Sequence, residues 1–284
     1  VGLCFPIIVI ITAFSNLFGS GGAPLFSINR GKGNIKKAEV IMNTSFSMLC
    51  ICGVALMVIG MLFASSILVL FGASEEGLSY AYPYMMIYLI GTVPSMIATG
   101  MNPFINAQGY ATSGMLSVTI GAVANLILDP LFIFAFHWGI KGAAWATVLG
   151  QVVSGVMILI YFWKFSKMQL TRHHLMPHMK YLGEITALGM ASGINQVAMA
   201  IIQITMNNTL RKYGAVSDYG ADIPIACAGI ISKVNMIFMS IGIGISQGCQ
   251  PIFGFNYGAE KFDRVRETYK KAAWAAIISG IVFF

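Results

Sequence analysis

Long apolar runs alternate along the whole chain with short polar segments, most of them basic. Apolar stretches of about 20 or more residues, the length a helix needs to cross a bilayer, fall at 2–27, 41–70, 82–105, 113–136, 140–163, 183–210, 223–249 and from 265 onward. Eight membrane-spanning helices are predicted. The Leu, Ile, Met and Phe of these runs, with Gly interspersed, suit helices rather than barrel strands, which would be short and would alternate apolar with polar positions. Gly189 with Gly193, and Gly244 with Gly248, have the four-residue spacing of close helix packing. Pro94, just after Gly91, is placed to bend the third span. Tyr80, Tyr82, Tyr84 and Tyr88 at the start of that span are expected to form an interfacial aromatic belt.

Composition agrees with the pattern. Of 284 residues, 57% are hydrophobic and 10% charged, a balance that leaves too little polar surface for a water-soluble domain. The expected fold class is an all-α polytopic membrane protein. Basic residues collect in the odd-numbered gaps: Arg30, Lys32, Lys36 and Lys37 in the first, Lys164, Lys167, Arg172 and Lys180 in the fifth, and Lys261, Arg264, Arg266, Lys270 and Lys271 in and after the seventh. That asymmetry puts the odd gaps in the cytoplasm and the protein in the cell (plasma, inner) membrane. The net charge of +7 therefore reports topology and anionic headgroups; the scattered basic residues form no face for nucleic acid.

An internal repeat sets the expected domain organisation. The segment 21–31 matches 248–258 at a constant offset of 227 residues, with five of eleven positions identical, among them Pro24, Asn29 and Gly31 against Pro251, Asn256 and Gly258. Both copies close an apolar span and lead into a basic gap. Six spans separate them, so the halves share one orientation: a parallel repeat of six helices plus six. The division expected is a first lobe at 1–163, an inter-lobe linker at 164–182 and a partial second lobe at 183–284. The same offset predicts one helix, roughly 45 residues, ahead of Val1 and roughly 120 residues after Phe284.

Asp129 is the one acidic residue well inside an apolar run, in Asn125-Leu126-Ile127-Leu128-Asp129-Pro130. A carboxylate at such depth costs about 2.5–3.5 kcal/mol, which a bound cation, a proton or a buried partner must offset. Asn125 lies four residues earlier, on the same helix face. Pro130 has no N–H for the carbonyl of Leu126 and is expected to bend the helix there. The chain reverses near Trp138-Gly139, and Asp129 and Thr147 each stand nine residues from Trp138, so both lie roughly 13 Å from the turn. Amide oxygen, carboxylate, hydroxyl and freed carbonyl make an all-oxygen cluster suited to a hard monovalent cation. Proton loading and a plain interhelical tie are the alternatives. Lys233, the second charge inside a span, reads either as a counter-charge that senses loading or as a snorkelling side chain. Gln196, Gln203, Asn207 and Asn208 offer amides that line a cleft or bond neighbouring helices.

Other chemistry is scarce. Cys4, Cys50, Cys52, Cys227 and Cys249 lack paired spacing and read as packing residues; His173, His174 and His178 sit in a solvated linker, so no metal is expected. Gly244-Ile245-Ser246-Gln247-Gly248 fits the serine-hydrolase pattern, yet it ends an apolar helix far from any histidine, which leaves an intramembrane hydrolase as a remote alternative. No catalytic residue and no enzyme activity are expected.

The stretches Asn102-Pro103-Phe104-Ile105-Asn106-Ala107-Gln108-Gly109, Asn125 to Pro130, Gly142-Ala143-Ala144-Trp145-Ala146-Thr147 and Gly248 to Gly258, in that order and spacing, resemble the multidrug and toxic compound extrusion family over essentially the whole chain. The chain departs from the commonest form at Asn106, often Arg, and at Tyr110, often Asp. The resemblance implies family helices two to nine of a V-shaped pair of six-helix lobes that exports drugs and metabolites on a Na+ or H+ gradient. It implies a cation site in which Asn125 and Asp129 match an Asn and an Asp of the fifth helix and Thr147 a Thr of the sixth. A first-helix Asp would lie ahead of this chain, and a seventh-helix Glu used by some members has no counterpart after Glu184. The expected protein is a monomeric antiporter in the lipid bilayer, with Na+ or H+ as coupling ion, no cofactor, and a small amphiphilic or cationic substrate. Gln203, Asn207, Lys233 and Pro94 are further candidates for the cleft or for coupling. The rival is a flippase for lipid-linked oligosaccharides on a related fold, which calls for several basic residues at mid-depth where this chain offers Lys233.

Overall fold

The structure is a computed structural model that describes residues 4–70, 75–166, 168, 170, 178–214 and 222–283. The described residues are helical, with no strand among them. Ten helices follow in order: α1 Phe5–Gly31, α2 Ile35–Leu62, α3 Ala64–Leu70, α4 Glu75–Ile90, α5 Thr92–Ala107, α6 Ala111–Pro130, α7 Gly139–Ile160, α8 Met179–Gly214, α9 Asp222–Gly258 and α10 Phe262–Phe283. Five are long and apolar enough to cross a bilayer, at Pro6–Gly31, Ile35–Leu62, Ala111–Ala135, Gly139–Phe165 and Cys227–Gly258, and α4 with α5 makes a sixth, bent span. The runs expected at 183–210 and from 265 lie within α8 and α10. The second run is shorter than its apolar stretch, because the chain turns at Phe63 before α3.

Several local expectations are corrected. The bend in the third span is 54° and falls at Gly91, not at Pro94. Pro94 occupies the first turn of α5, where its missing N–H strips Ile90 of a donor and its ring crowds that carbonyl. Gly91 N–H bonds Tyr88 O at 3.0 Å and so closes α4 with a tighter turn. At Pro130, where a bend is expected, α6 gives way to a π-helical turn at Leu131–Ala135, in which Phe136 N–H reaches back five residues to Leu131 O. Tyr84 and Tyr88 are 5% and 6% exposed and face the interior, so only Tyr80 and Tyr82 remain for an interfacial belt. Gly189 lies against the carbonyl of Leu17, as its spacing predicts, while no described residue lies within 4 Å of a Cβ on Gly244 or Gly248.

The inner helix is α1, which packs on α2, α5, α8 and α9. Small residues let it approach closely: a Cβ on Gly19 would meet Gly100 O at 2.6 Å, and one on Gly22 would meet the Phe104 ring at 2.6 Å. Phe26 and Phe104 fill the core beside it, edge to face with centroids 5.5 Å apart. The corner that ends α1 recurs at the end of α9. Lys32 N–H bonds Ile28 O and Asn34 N–H bonds Asn29 O; 227 residues on, Ala259 N–H bonds Phe255 O and Lys261 N–H bonds Asn256 O. Gly33 (φ 75°) and its counterpart Glu260 (φ 59°) both take the left-handed conformation that the corner requires. Asn29 and Asn256 each donate from Nδ2 to the carbonyl four residues back, Leu25 and Ile252.

Candidate functional site

Two antiparallel helices, α6 and α7, hold the predicted cluster. Their register is fixed by close contacts: Ser154 Oγ donates to Ser117 O at 3.0 Å, Gly150 faces Gly121 O and the Asn125 side chain, and Gly142 lies on Phe132. Counting along that register, the turn Asn125–Asp129 faces the turn Ala143–Thr147. His137 and Gly139, both at φ 54°, make the reversal possible.

Asn125 and Thr147 line one cavity of about 510 Å³ together with Asn16, Asn102, Gln151 and Gln247. Its remaining lining among the described residues adds hydroxyls and small residues and no charged side chain. Asp129 sits one helical turn from Asn125, outside that lining, towards the α6–α7 reversal. Its Oδ1 is buried with no hydrogen-bond partner among the described residues, and so are Asn125 Nδ2 and Gln151 Oε1. Buried polar atoms left unpaired are costly, so each marks a place where a ligand, ion or water has something to satisfy.

Two residues that sequence reasoning missed complete the cluster. Tyr84 on α4 comes within side-chain range of Thr147 and within electrostatic range of Asp129. One turn further along both helices, Gln151 Nε2 donates to the Tyr88 hydroxyl at 3.3 Å. Tyr84 and Tyr88 stack with centroids 6.2 Å apart, so α4 meets α7 as a ladder of two tyrosines on a Thr and a Gln. The signal was in the sequence: both pairs have spacing four, which puts each on one helix face. Thr147 Oγ1 also donates to Ala143 O at 2.9 Å, which leaves its lone pairs for the cluster.

The other candidates lie apart. Lys233 is exposed on α9. Gln196 is half-buried and Asn208 exposed on α8; the side chains of Gln203 and Asn207 lie outside the described residues, as do His173 and His174. Pro94 packs against Gly155 of α7 rather than against the cluster. Pro24 and Gly31 on α1, with Asn29 between them in the chain, meet the helix that carries Pro251, Asn256 and Gly258 at the far end from the α6–α7 reversal. Ser246 is exposed within α9, with none of the strand-to-helix setting of a hydrolase nucleophile.

Known proteins share both this sequence pattern and this arrangement of helices. The family model MatE matches residues 1–131 and 194–284. The chain is 27% identical over 287 residues to the multidrug export protein MepA of Staphylococcus haemolyticus (strain JCSC1435), with all of this chain and 60% of that protein covered. It is 27% identical over 299 residues to the probable multidrug resistance protein YoeA of Bacillus subtilis (strain 168), with 97% of this chain and 60% of that protein covered. Among solved structures, a MATE protein in complex with MaD3S superposes with a TM-score of 0.91 at 23% identity, covering 99% of this chain and 63% of its own. The MATE multidrug transporter DinF-BH superposes with a TM-score of 0.85 at 28% identity, covering 99% and 62%. The chain thus spans about 60% of the length of the relatives it matches.

Proposed function

The chain belongs to the MatE family, and on that premise we propose that it serves as a cation-coupled exporter of small molecules. The observation that carries this reading is the buried, unpartnered Oδ1 of Asp129 beside Asn125, Thr147 and Tyr84 in membrane-spanning helices. A carboxylate kept at that depth without a basic partner among the described residues is a seat for a reversible positive charge. Na+ or H+ entering there neutralises it, and Thr147 and Tyr84 carry the change to the bent α4–α5 span. Alternating access of two lobes, the first at 1–163 and the second from 183, then moves substrate out against the entering ion.

The substrate is small, amphiphilic or cationic. Amides and hydroxyls in the uncharged cavity supply carbonyl and hydroxyl oxygens to a cation and hydrogen bonds to a polar edge. The names of the staphylococcal and Bacillus relatives, multidrug export and resistance proteins, support the same class. A flippase for pyrophosphate lipids fits less well, since no described residue that lines the cavity is basic. The protein works as a monomer in the plasma membrane with its basic loops in the cytoplasm.

Efflux of a fluorescent cationic dye from proteoliposomes, with Na+ and H+ gradients imposed separately, tests the reading. One gradient should drive export and its collapse should stop it. Dye movement indifferent to both gradients would overturn the proposal.

A further inference from the structure

We propose that the duplicated motif is a self-docking gate at the basic end of the bundle, latched from one side only by Arg30. The backbone of Gly258 lies against the carbonyl of Ile28, and the backbone of Gly31 lies against the carbonyl of Phe255. At the offset of 227, Phe255 is the counterpart of Ile28 and Gly258 the counterpart of Gly31. Each residue therefore touches its partner's equivalent in the other copy, the pattern of a two-fold, self-complementary interface. Ser27 and its own counterpart Gly254 meet where such an axis would pass, a Cβ on Gly254 falling 2.7 Å from Ser27 Cβ.

This contact gives the repeat a physical reason. Gly recurs at 31 and 258 because any side chain there would strike backbone of the opposite copy. Asn29 and Asn256 recur because each turns its amide back on its own helix, which keeps a buried polar group paired beside the contact.

The position suits a gate. Beside the large cavity, with Ser20, Pro103 and Gln247 lining both, is a cleft of about 20 Å³ that Ser27 of one copy and Gln250 and Pro251 of the other also line. Beyond it lie Lys32, Lys36 and Lys37 on one side and Lys261 and Arg264 on the other.

Arg30 makes the closure asymmetric. Its Nη1 donates to Ala107 O at 2.6 Å, and its guanidinium lies 5.8 Å from the Phe26 ring and 5.9 Å from the Phe255 ring. Only the Phe255 contact crosses between copies, so separation of the helices would break that cation–π contact and leave the other two. The counterpart of Arg30 is Tyr257, which is exposed and packs on Phe262 of its own side. Among the described residues the second copy therefore offers no matching latch at that position.

The proposal rests on the alternating-access reading above, and its test is independent of transport. In the intact protein lacking native cysteines, Ser20→Cys reports entry of a membrane-impermeant maleimide from the basic face, in oriented vesicles without substrate or gradient. Gly258→Leu and Gly31→Leu should each raise the labelling rate about tenfold, Arg30→Gln should raise it about threefold, and Tyr257→Gln should leave it unchanged. Labelling of an inserted, monodisperse Gly258→Leu protein at the rate of its parent would overturn the gate; equal effects of Arg30→Gln and Tyr257→Gln would overturn the one-sided latch. If labelling responds as expected while neither gradient drives efflux, the export reading falls and the gate stands. If efflux is coupled and labelling never responds, the gate alone falls.

Discussion

Asn125 presses its Cβ to within 3.0 Å of the point where a side chain on Gly150 would begin. The same point is 2.8 Å from Gly121 O. Both neighbours are close to the backbone and cannot swing away, so α6 and α7 must separate if residue 150 gains bulk. Gly150→Val is expected to cost about 1–3 kcal/mol through overpacking and to pull Asn125 away from Thr147. Thermal unfolding in detergent should show a lowered midpoint and a loss of any rise in midpoint with added coupling ion. Gly244→Ala, at a helical position where no described residue lies within 4 Å of the added Cβ, should leave both readouts at the parent values.

Asp129→Asn separates the charge from the fold. The variant keeps the shape and can still hydrogen-bond, and it removes a deep carboxylate whose burial costs about 2.5–3.5 kcal/mol. Insertion and thermal midpoint should therefore match or exceed those of the parent, while gradient-driven efflux disappears. Dye export by this variant at the parent's rate would show that the coupling ion binds elsewhere.

Tyr84→Phe tests the arm of the cluster that α4 contributes. The ring still stacks on Tyr88, and only the hydroxyl on the Thr147 side of the cluster is lost. One neutral hydrogen bond is worth about 1 kcal/mol, so the coupling ion's apparent affinity should fall roughly five- to tenfold with little change in the maximal efflux rate. The ion-concentration dependence of efflux reads this directly. A reduced maximum at unchanged affinity would instead mean that Tyr84 acts on the conformational step.

The fold was legible where burial of apolar surface has a long period and one answer. Runs of apolar residues gave the spans, and the 227-residue offset carried over to matching hydrogen bonds at the two helix corners. The facing positions of Asn125, Asp129 and Thr147 on α6 and α7 were legible because helix spacing and equal distance from one turn are one-dimensional facts. Tyr84 and Gln151 were not, since their roles depend on which face of α4 turns to α7, and a tyrosine near a span end looks the same facing lipid or protein. The bend was misplaced by three residues for a related reason. Proline exerts its effect on the carbonyl four residues earlier, so Pro94 breaks the helix at Ile90 and Gly91 rather than at itself.

That separation of cause from place yields the last prediction. Pro94→Ala restores an N–H within reach of the Ile90 carbonyl and removes the ring that crowds it, so α4 and α5 should straighten towards one continuous span. With spin labels at Tyr82→Cys and Thr99→Cys, both exposed positions, straightening lengthens the separation by about 3 Å given 1.5 Å of rise per residue on either arm of the 54° bend. Gly91→Ala should act differently. A Cβ there meets Gln151 Oε1 at 2.5 Å, so the bend persists while Gln151 is displaced and its bond to Tyr88 is lost. Pro94→Ala is then expected to slow turnover at unchanged ion affinity, because it alters the hinge and leaves the cluster alone; Gly91→Ala should weaken ion affinity by disturbing the tyrosine ladder one turn from Thr147. Identical label distances and identical kinetic defects in the two variants would show that hinge and cluster are a single unit and that this division of roles is wrong.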